Sequence, residues 1–106
     1  MTETLRPILA ELRRRFERHY GPRLARMILY GSQARSDADT GSDIDVLVVL
    51  DGEVRATEEI KRTIDDVAGL SLDHDVVIAC VFISAERFER ERSPLLLNVR
   101  REGLAV

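Results

Sequence analysis

The sequence predicts an α/β (α+β) fold in which a small central sheet is flanked by helices. Apolar runs of strand character at residues 24–30, 44–50 and 75–82 alternate with stretches of helical periodicity. The second run is almost entirely apolar, so both of its faces are expected to be covered by other layers. Connection lengths alone leave open whether the strands run parallel, antiparallel or mixed.

Three helices are predicted from periodicity and from the residues that start and stop them. The first covers residues 4–20 and ends at Gly21-Pro22. A short helix is expected to begin at Ser32, directly after the first strand. A long helix is expected from Thr57, with an inner stripe formed by Ile60, Ile64, Val67 and Ala68.

Two serines mark the starts of two further helices near the end of the sequence. Ser84 can cap a helix through Phe88, and Ser93 can cap another, because Pro94 suits the first helical position. Gly103 is expected to end the last helix, ahead of a short edge strand at residues 104–106. The side chains expected to face inward are Leu95, Leu96 and Val99, with Leu97 beside them.

The length and composition favour one domain, residues 1–106. No apolar run is long enough to cross a membrane, and no signal peptide is recognisable, so a membrane association is not expected. The single cysteine, Cys80, suits a reducing compartment and predicts a cytoplasmic protein with a buried thiol.

Charge is distributed unevenly around a net value of −3. Residues 1–35 carry eight arginines and three glutamates, whereas residues 36–75 carry twelve acidic and three basic groups. An acidic middle suits a metal site, and the basic start suits a solvated helix face or an acidic partner. Direct nucleic-acid binding is not expected, since high positive charge and exposed aromatic residues are missing.

The strongest functional signal lies between the first two predicted strands. The first strand leads into Gly31-Ser32, and glycine allows close approach of a ligand while helix-start N–H groups favour an anion such as phosphate. By itself this pair is also a common turn. Arg35 follows one helical turn later, where it could contact a phosphate or be an ordinary surface charge.

Carboxylates stand at the starts of the second and third predicted strands. Asp43 and Asp45 would share one strand face about 6–7 Å apart, where they repel each other unless a cation such as Mg²⁺ lies between them. Asp75, with Asp73 in reserve, would complete a two-metal site if the third strand neighbours the second. The simpler alternatives are aspartates that flank a strand entry or cap the preceding helix.

The two segments together resemble a known signature. Gly31-Ser32-Gln33-Ala34-Arg35 and then Ser42-Asp43-Ile44-Asp45 are similar to the GS-x-AR…SD-x-D motif of the polymerase-β-like nucleotidyltransferase superfamily. The short chain resembles its minimal nucleotidyltransferases (MNT proteins), many of which are antitoxins paired with a HEPN-domain toxin. The resemblance implies a mixed sheet. It also implies nucleotide binding by Gly31, Ser32, Arg35 and Ser42, and catalytic metal binding by Asp43, Asp45 and Asp75.

The same resemblance implies Mg²⁺-dependent transfer of AMP from ATP, with two ions, to a hydroxyl on a partner. That acceptor is expected to be a tyrosine of a HEPN toxin held in a hetero-oligomer. Two alternatives stay open. One is an antitoxin that neutralises its partner by binding alone. The other is a small-molecule nucleotidyltransferase, against which the short length argues, because such enzymes usually hold the acceptor in a second domain.

Overall fold

The computed structural model describes residues 2–35 and 43–106. Its helices and strands, in chain order, are α1 (Leu5–Tyr20), a 3₁₀ turn (Gly21–Arg23), β1 (Leu24–Tyr30), α2 (Ser32–Arg35), β2 (Ile44–Leu50), α3 (Ala56–His74), β3 (Ile78–Ser84), α4 (Ala85–Arg90), α5 (Pro94–Glu102) and β4 (Leu104–Ala105). The predicted α/β architecture with a sheet between helices is confirmed.

The sheet is mixed, as the family resemblance implies. Its strand order is β3-β2-β1-β4, with β1 antiparallel to both β2 and β4 and with β2 parallel to β3. Helix α3 provides the crossover that parallel neighbours require. Because β2 and β3 are parallel, both begin at the same end of the sheet, and β1 terminates at that end.

Each face of the sheet is covered by its own apolar cluster. On one face, α1 and α3 pack over alternate residues of the strands, including Leu29, Val46 and Val48. On the other face, α4 and α5 cover Leu47 and Val49. This double coverage explains why β2 is apolar over almost its whole length, and it confirms the expectation drawn from that run.

Both capping serines behave as predicted. The side chain of Ser84 accepts a hydrogen bond of 3.2 Å from the backbone N–H of Arg87, and that of Ser93 accepts one of 3.3 Å from Leu96. These bonds satisfy N–H groups that a helix start leaves without intrahelical partners. The short final strand, β4, is also confirmed, although it pairs over only two residues of β1.

The predicted inner stripe of α3 is correct only at Val67, which is partly buried against the core, while Ile60, Ile64 and Ala68 are exposed. Helix α3 buries Glu59, Thr63 and Leu70, whereas Ile60 and Ile64 are 46% and 51% exposed. The helix is turned so that the two isoleucines lie over the outer edge of β3, where no further strand of the described chain covers them.

A smaller correction applies to α5, where two of the four leucine and valine side chains expected to face inward do not. Leu96 and Val99 are buried, whereas Leu95 and Leu97 are 36% and 50% exposed. The helix is nine residues long, and one face of it reaches the sheet. Within the described residues, no helix is both long and apolar enough to cross a membrane.

Candidate active site

Asp43 and Asp45 lie at the end of the sheet where β1 terminates and β2 begins. Asp45 is the second residue of β2 and pairs directly with Tyr30, the last residue of β1. Directly opposed residues of an antiparallel pair share a face, and alternation along the strand assigns Asp43 to that face as well. The two aspartates therefore lie side by side, with Asp45 half-buried and Asp43 exposed.

Gly31 closes the site on the side of β1. Its φ of +74° is a left-handed conformation that residues with a side chain rarely adopt. A Cβ at this position would lie 2.7 Å from Oδ2 of Asp45, so any other residue would displace the carboxylate. The carbonyl of Gly31 accepts hydrogen bonds from Ala34 and Arg35 at 3.1 and 3.2 Å, which fixes the start of α2 against the carboxylate.

The electrostatics of the site favour a bound cation. Burial, and then the charge of Asp43, raise the pKa of the Asp45 carboxyl above its ordinary value. Burial, and then the charge of Asp45, raise the pKa of the Tyr30 phenol. Negative charge here is thus disfavoured by the protein itself, and two carboxylates beside a glycine turn are oxygen donors that suit Mg²⁺.

Arg35 ends α2 and forms an ion pair with the last residue of α5. Its Nη1 donates to Oε2 of Glu102 at 2.9 Å. The arginine proposed for phosphate binding is therefore held by a carboxylate on the neighbouring helix. Of the other residues predicted to bind nucleotide, Ser32 begins α2, and Ser42 lies outside the described residues.

Asp75 lies near the end of the sheet at which β2 and β3 begin, but it is not part of β3, contrary to the prediction. It follows the last residue of α3 in a left-handed conformation (φ 53°, ψ 50°), and β3 begins only at Ile78. The structure therefore agrees with the alternative in which Asp75 caps the end of the preceding helix. The tolerance of aspartate for this conformation explains its position there, whereas Asp73 lies inside α3.

The register of β3 reveals a residue that sequence reasoning missed. Ala79, not an acid, pairs with Asp45 across the parallel strands, and the carbonyl of Val77 accepts a 2.8 Å hydrogen bond from Ile44. Among residues 2–35 and 43–106, no three acidic, histidine or cysteine side chains lie close enough together to hold a metal ion. The structure brings Asp43 and Asp45 together and leaves Asp75 apart from them. No sequence pattern gives the register that shows this.

Comparison with known proteins decides the family. Residues 9–100 match the family model of the nucleotidyltransferase domain. The chain belongs to this family. The matched segment contains the glycine turn, both site aspartates and β3, so the resemblance drawn from the two motifs is confirmed for the family and for its fold.

Individual relatives agree with this family. A protein of Methanocaldococcus jannaschii that carries the name of a protein adenylyltransferase is 39% identical over 57 residues, which are 54% of this nucleotidyltransferase domain and 57% of that protein. A chain of a toxin-antitoxin crystal structure with AMP-PNP superimposes with a TM-score of 0.61 at 19% identity, covering 86% of this chain and 66% of that one.

A further solved structure contains a tri-AMPylated Shewanella oneidensis HEPN toxin with its MNT antitoxin. One of its chains matches with a TM-score of 0.52 at 18% identity, covering 92% of this chain and 70% of that one. At such identities the two solved structures establish a shared fold. Both come from toxin-antitoxin complexes.

Proposed function

We propose that this nucleotidyltransferase domain transfers AMP from ATP to a tyrosine hydroxyl of a partner HEPN toxin, with Mg²⁺ as cofactor, and thereby acts as an antitoxin. The observation that carries the proposal is the position of Asp43 and Asp45 beside Gly31. A Cβ on Gly31 would clash with the Asp45 carboxylate. The family membership and the name of the M. jannaschii relative support the adenylyl-transfer chemistry. The S. oneidensis structure, an AMPylated HEPN toxin in complex with an MNT antitoxin, supports a HEPN toxin as the acceptor protein.

The chain's own residues have distinct roles in this proposal. Asp43 and Asp45 would hold the cation, since their shared face is the one on which negative charge is disfavoured. When bound, Mg²⁺ supplies positive charge that offsets the charge of the triphosphate and of the reacting phosphoryl group. Gly31 leaves room for the Asp45 carboxylate beside the turn, and Arg35 can contact the phosphates once it leaves Glu102.

The reaction is a substitution at the α-phosphorus of ATP. The oxygen of the acceptor hydroxyl forms a bond to that phosphorus, the bond from the α-phosphorus to the bridging oxygen breaks, and pyrophosphate leaves. The hydroxyl proton must pass to a base, and we assign this role to Asp75, an exposed carboxylate that precedes β3 at the end of the sheet where the pair lies. The assignment requires Asp75 to approach the pair when substrates bind, because the structure holds it apart.

The acceptor is assigned to a partner protein because a small domain has little material for an acceptor pocket of its own. Transfer requires the attacking oxygen about 3–3.5 Å from the phosphorus. A docked partner can supply this positioning. An added AMP brings negative charge and bulk, which would block an active site that admits RNA phosphates.

The proposal is tested by co-expressing the chain with a HEPN toxin and measuring the intact mass of the toxin. We expect a mass increase of one or more AMP units that disappears in Asp43→Asn/Asp45→Asn. The matched control is Asp51→Asn, which removes one carboxylate just after the opposite end of β2. Loss of the adduct in the control as well would show that the effect is not specific to the site.

A second candidate function, neutralisation of the toxin by binding alone, is favoured by one observation. The position beside Asp45 on β3 is Ala79, so the described chain does not place a third carboxylate against the pair. In that case the same co-expression would give a neutralised toxin of unchanged mass. The Asp43→Asn/Asp45→Asn variant would then neutralise as well as the unchanged chain.

A further inference from the structure

An apolar surface runs along the outer edge of β3, on the face of the sheet opposite to Asp43 and Asp45. Ile60 and Ile64 of α3 overhang this edge and are about half exposed. Together with strand residues they line a groove of about 150 Å³ whose residues are Ile60, Thr63, Ile64, Val67, Ile78, Cys80 and Phe82. We call this set the α3–β3 groove. None of its residues carries a charge, which is unusual for a solvent-facing surface.

The strand beneath the groove is an unpaired sheet edge. Within the described part of the chain, β3 pairs with β2 alone, so its outer row of backbone N–H and C=O groups has no strand partner. Edge strands are normally protected by charge, proline or a bulge, or are kept short. Strand β3 has seven residues without a charge or proline, and its pairing with β2 is regular throughout.

We propose that the occupant of this edge is a second copy of the chain, related by a two-fold axis through Val81. Val81 is the middle residue of β3, so antiparallel pairing centred there uses the whole strand. The axis would join the two sheets into one continuous sheet of eight strands. It would also bring α3 antiparallel against α3 of the partner subunit, and the four exposed isoleucines would cover each other.

Charges on α3 fit this arrangement and make a second copy the favoured occupant. Lys61 and Asp65 are exposed and one helical turn apart, beside Ile60 and Ile64, and neither forms an ion pair within the described residues. A two-fold axis between antiparallel helices places Lys61 opposite Asp65 of the partner subunit, and the reverse. One sequence thus supplies both halves of two ion pairs, which is the self-complementarity that a symmetric interface requires.

The arrangement leaves both active sites open. Each site lies where β2 and β3 begin, and the axis reverses the strand direction between the two copies. The two sites therefore face opposite ends of the joined sheet. A partner protein can reach each of them while the copies remain paired.

Cysteine cross-linking tests the register directly. In a Cys80→Ala background, Val81→Cys is expected to form a disulfide between two copies on mild oxidation, because residues opposed on the axis have Cα atoms about 4.5–5.5 Å apart, within the range a disulfide spans. The control is Val77→Cys, which is more exposed at 56% but would lie about 26 Å from its own copy. Cross-linking of both variants alike would overturn the proposal.

Sedimentation equilibrium of the full chain tests the interface itself. We expect a dimer that Ile64→Glu dissociates, while Leu72→Glu, which changes a more exposed residue of the same helix outside the groove, does not. Lys61→Asp should weaken the dimer roughly tenfold, and the swapped Lys61→Asp/Asp65→Lys should restore it. Circular dichroism checks that each variant is folded. A chain that is monomeric at every concentration would refute the dimer. Binding of the toxin at this edge in place of a second copy would refute it as well.

Discussion

Replacing Asp45 by asparagine should stabilise the fold when no divalent cation is present. Asp43 and Asp45 are two residues apart at the start of β2, which corresponds to about 6–7 Å. At that distance two negative charges repel each other by about 0.6 kcal/mol in bulk water and about 2.5 kcal/mol at the effective dielectric of a protein surface. Removing one charge should therefore add about 1–2 kcal/mol to the free energy of unfolding, or roughly 5–10 °C in the midpoint of a domain of this size.

The pH dependence gives this prediction its sign. Burial and the charge of Asp43 raise the pKa of Asp45, so the folded state binds its proton more tightly than the unfolded state does. Below the ordinary pKa of aspartate, Asp45 is protonated in both states and does not lower the free energy of unfolding. As the pH rises from that value through the raised pKa, the Asp45 carboxyl lowers the free energy of unfolding, and above the raised pKa this loss is constant. The advantage of Asp45→Asn should be full at pH 7 and should vanish near pH 3.

Thermal melts followed by circular dichroism, with and without Mg²⁺, provide the measurement. Mg²⁺ should raise the midpoint of the unchanged chain and leave that of Asp45→Asn almost unmoved, because binding to the folded state stabilises it. Asp51→Asn, beyond the far end of β2, serves as the control. A variant that is no more stable than the unchanged chain at pH 7, or whose gain persists at pH 3, would refute the electrostatic argument.

Three further predictions concern the same site. Gly31→Ala should abolish ATP binding measured by calorimetry and cost about 1–3 kcal/mol in stability, whereas Gly52→Ala, which has a similar φ of +87° but open space around it, should cost stability alone. Ala79→Asp should tighten Mn²⁺ binding measured by calorimetry, because it adds a carboxylate beside the pair, and unchanged affinity would show that the register of β3 does not govern the site. Asp75→Asn should lose transfer of radiolabelled AMP to the toxin, while Asp73→Asn keeps most of it. The opposite ranking would assign the third carboxylate to Asp73. Asparagine is chosen because it tolerates the left-handed backbone at Asp75.

Elements whose signals are local could be predicted from the sequence. The bounds of β1 and β2 follow from apolar runs that end at glycine or aspartate, and the starts of α4 and α5 follow from the capping bonds of Ser84 and Ser93. The neighbouring positions of Asp43 and Asp45 follow from strand alternation alone. Each of these inferences depends on residues a few positions apart.

Features that depend on how elements are placed could not be predicted. The helical period identifies Ile60 and Ile64 as an apolar stripe, but it cannot show that α3 lies at the rim of the sheet and leaves them exposed. The sequence likewise locates Asp75 before an apolar run, but the register that sets Ala79 beside Asp45 is fixed by strand pairing between distant segments. Helix orientation and strand register are tertiary properties, which local patterns do not contain.

The ion pair between Arg35 and Glu102 links the glycine turn to the far end of the sequence. A triphosphate that takes up the guanidinium of Arg35 has to draw it away from Glu102, the last residue of α5, directly before Gly103 and β4. Filling the site would then loosen the attachment of this final segment to α2. A fluorescent label near Ala105 would act as a built-in sensor of nucleotide, reporting occupancy from a segment that does not itself contact the ligand.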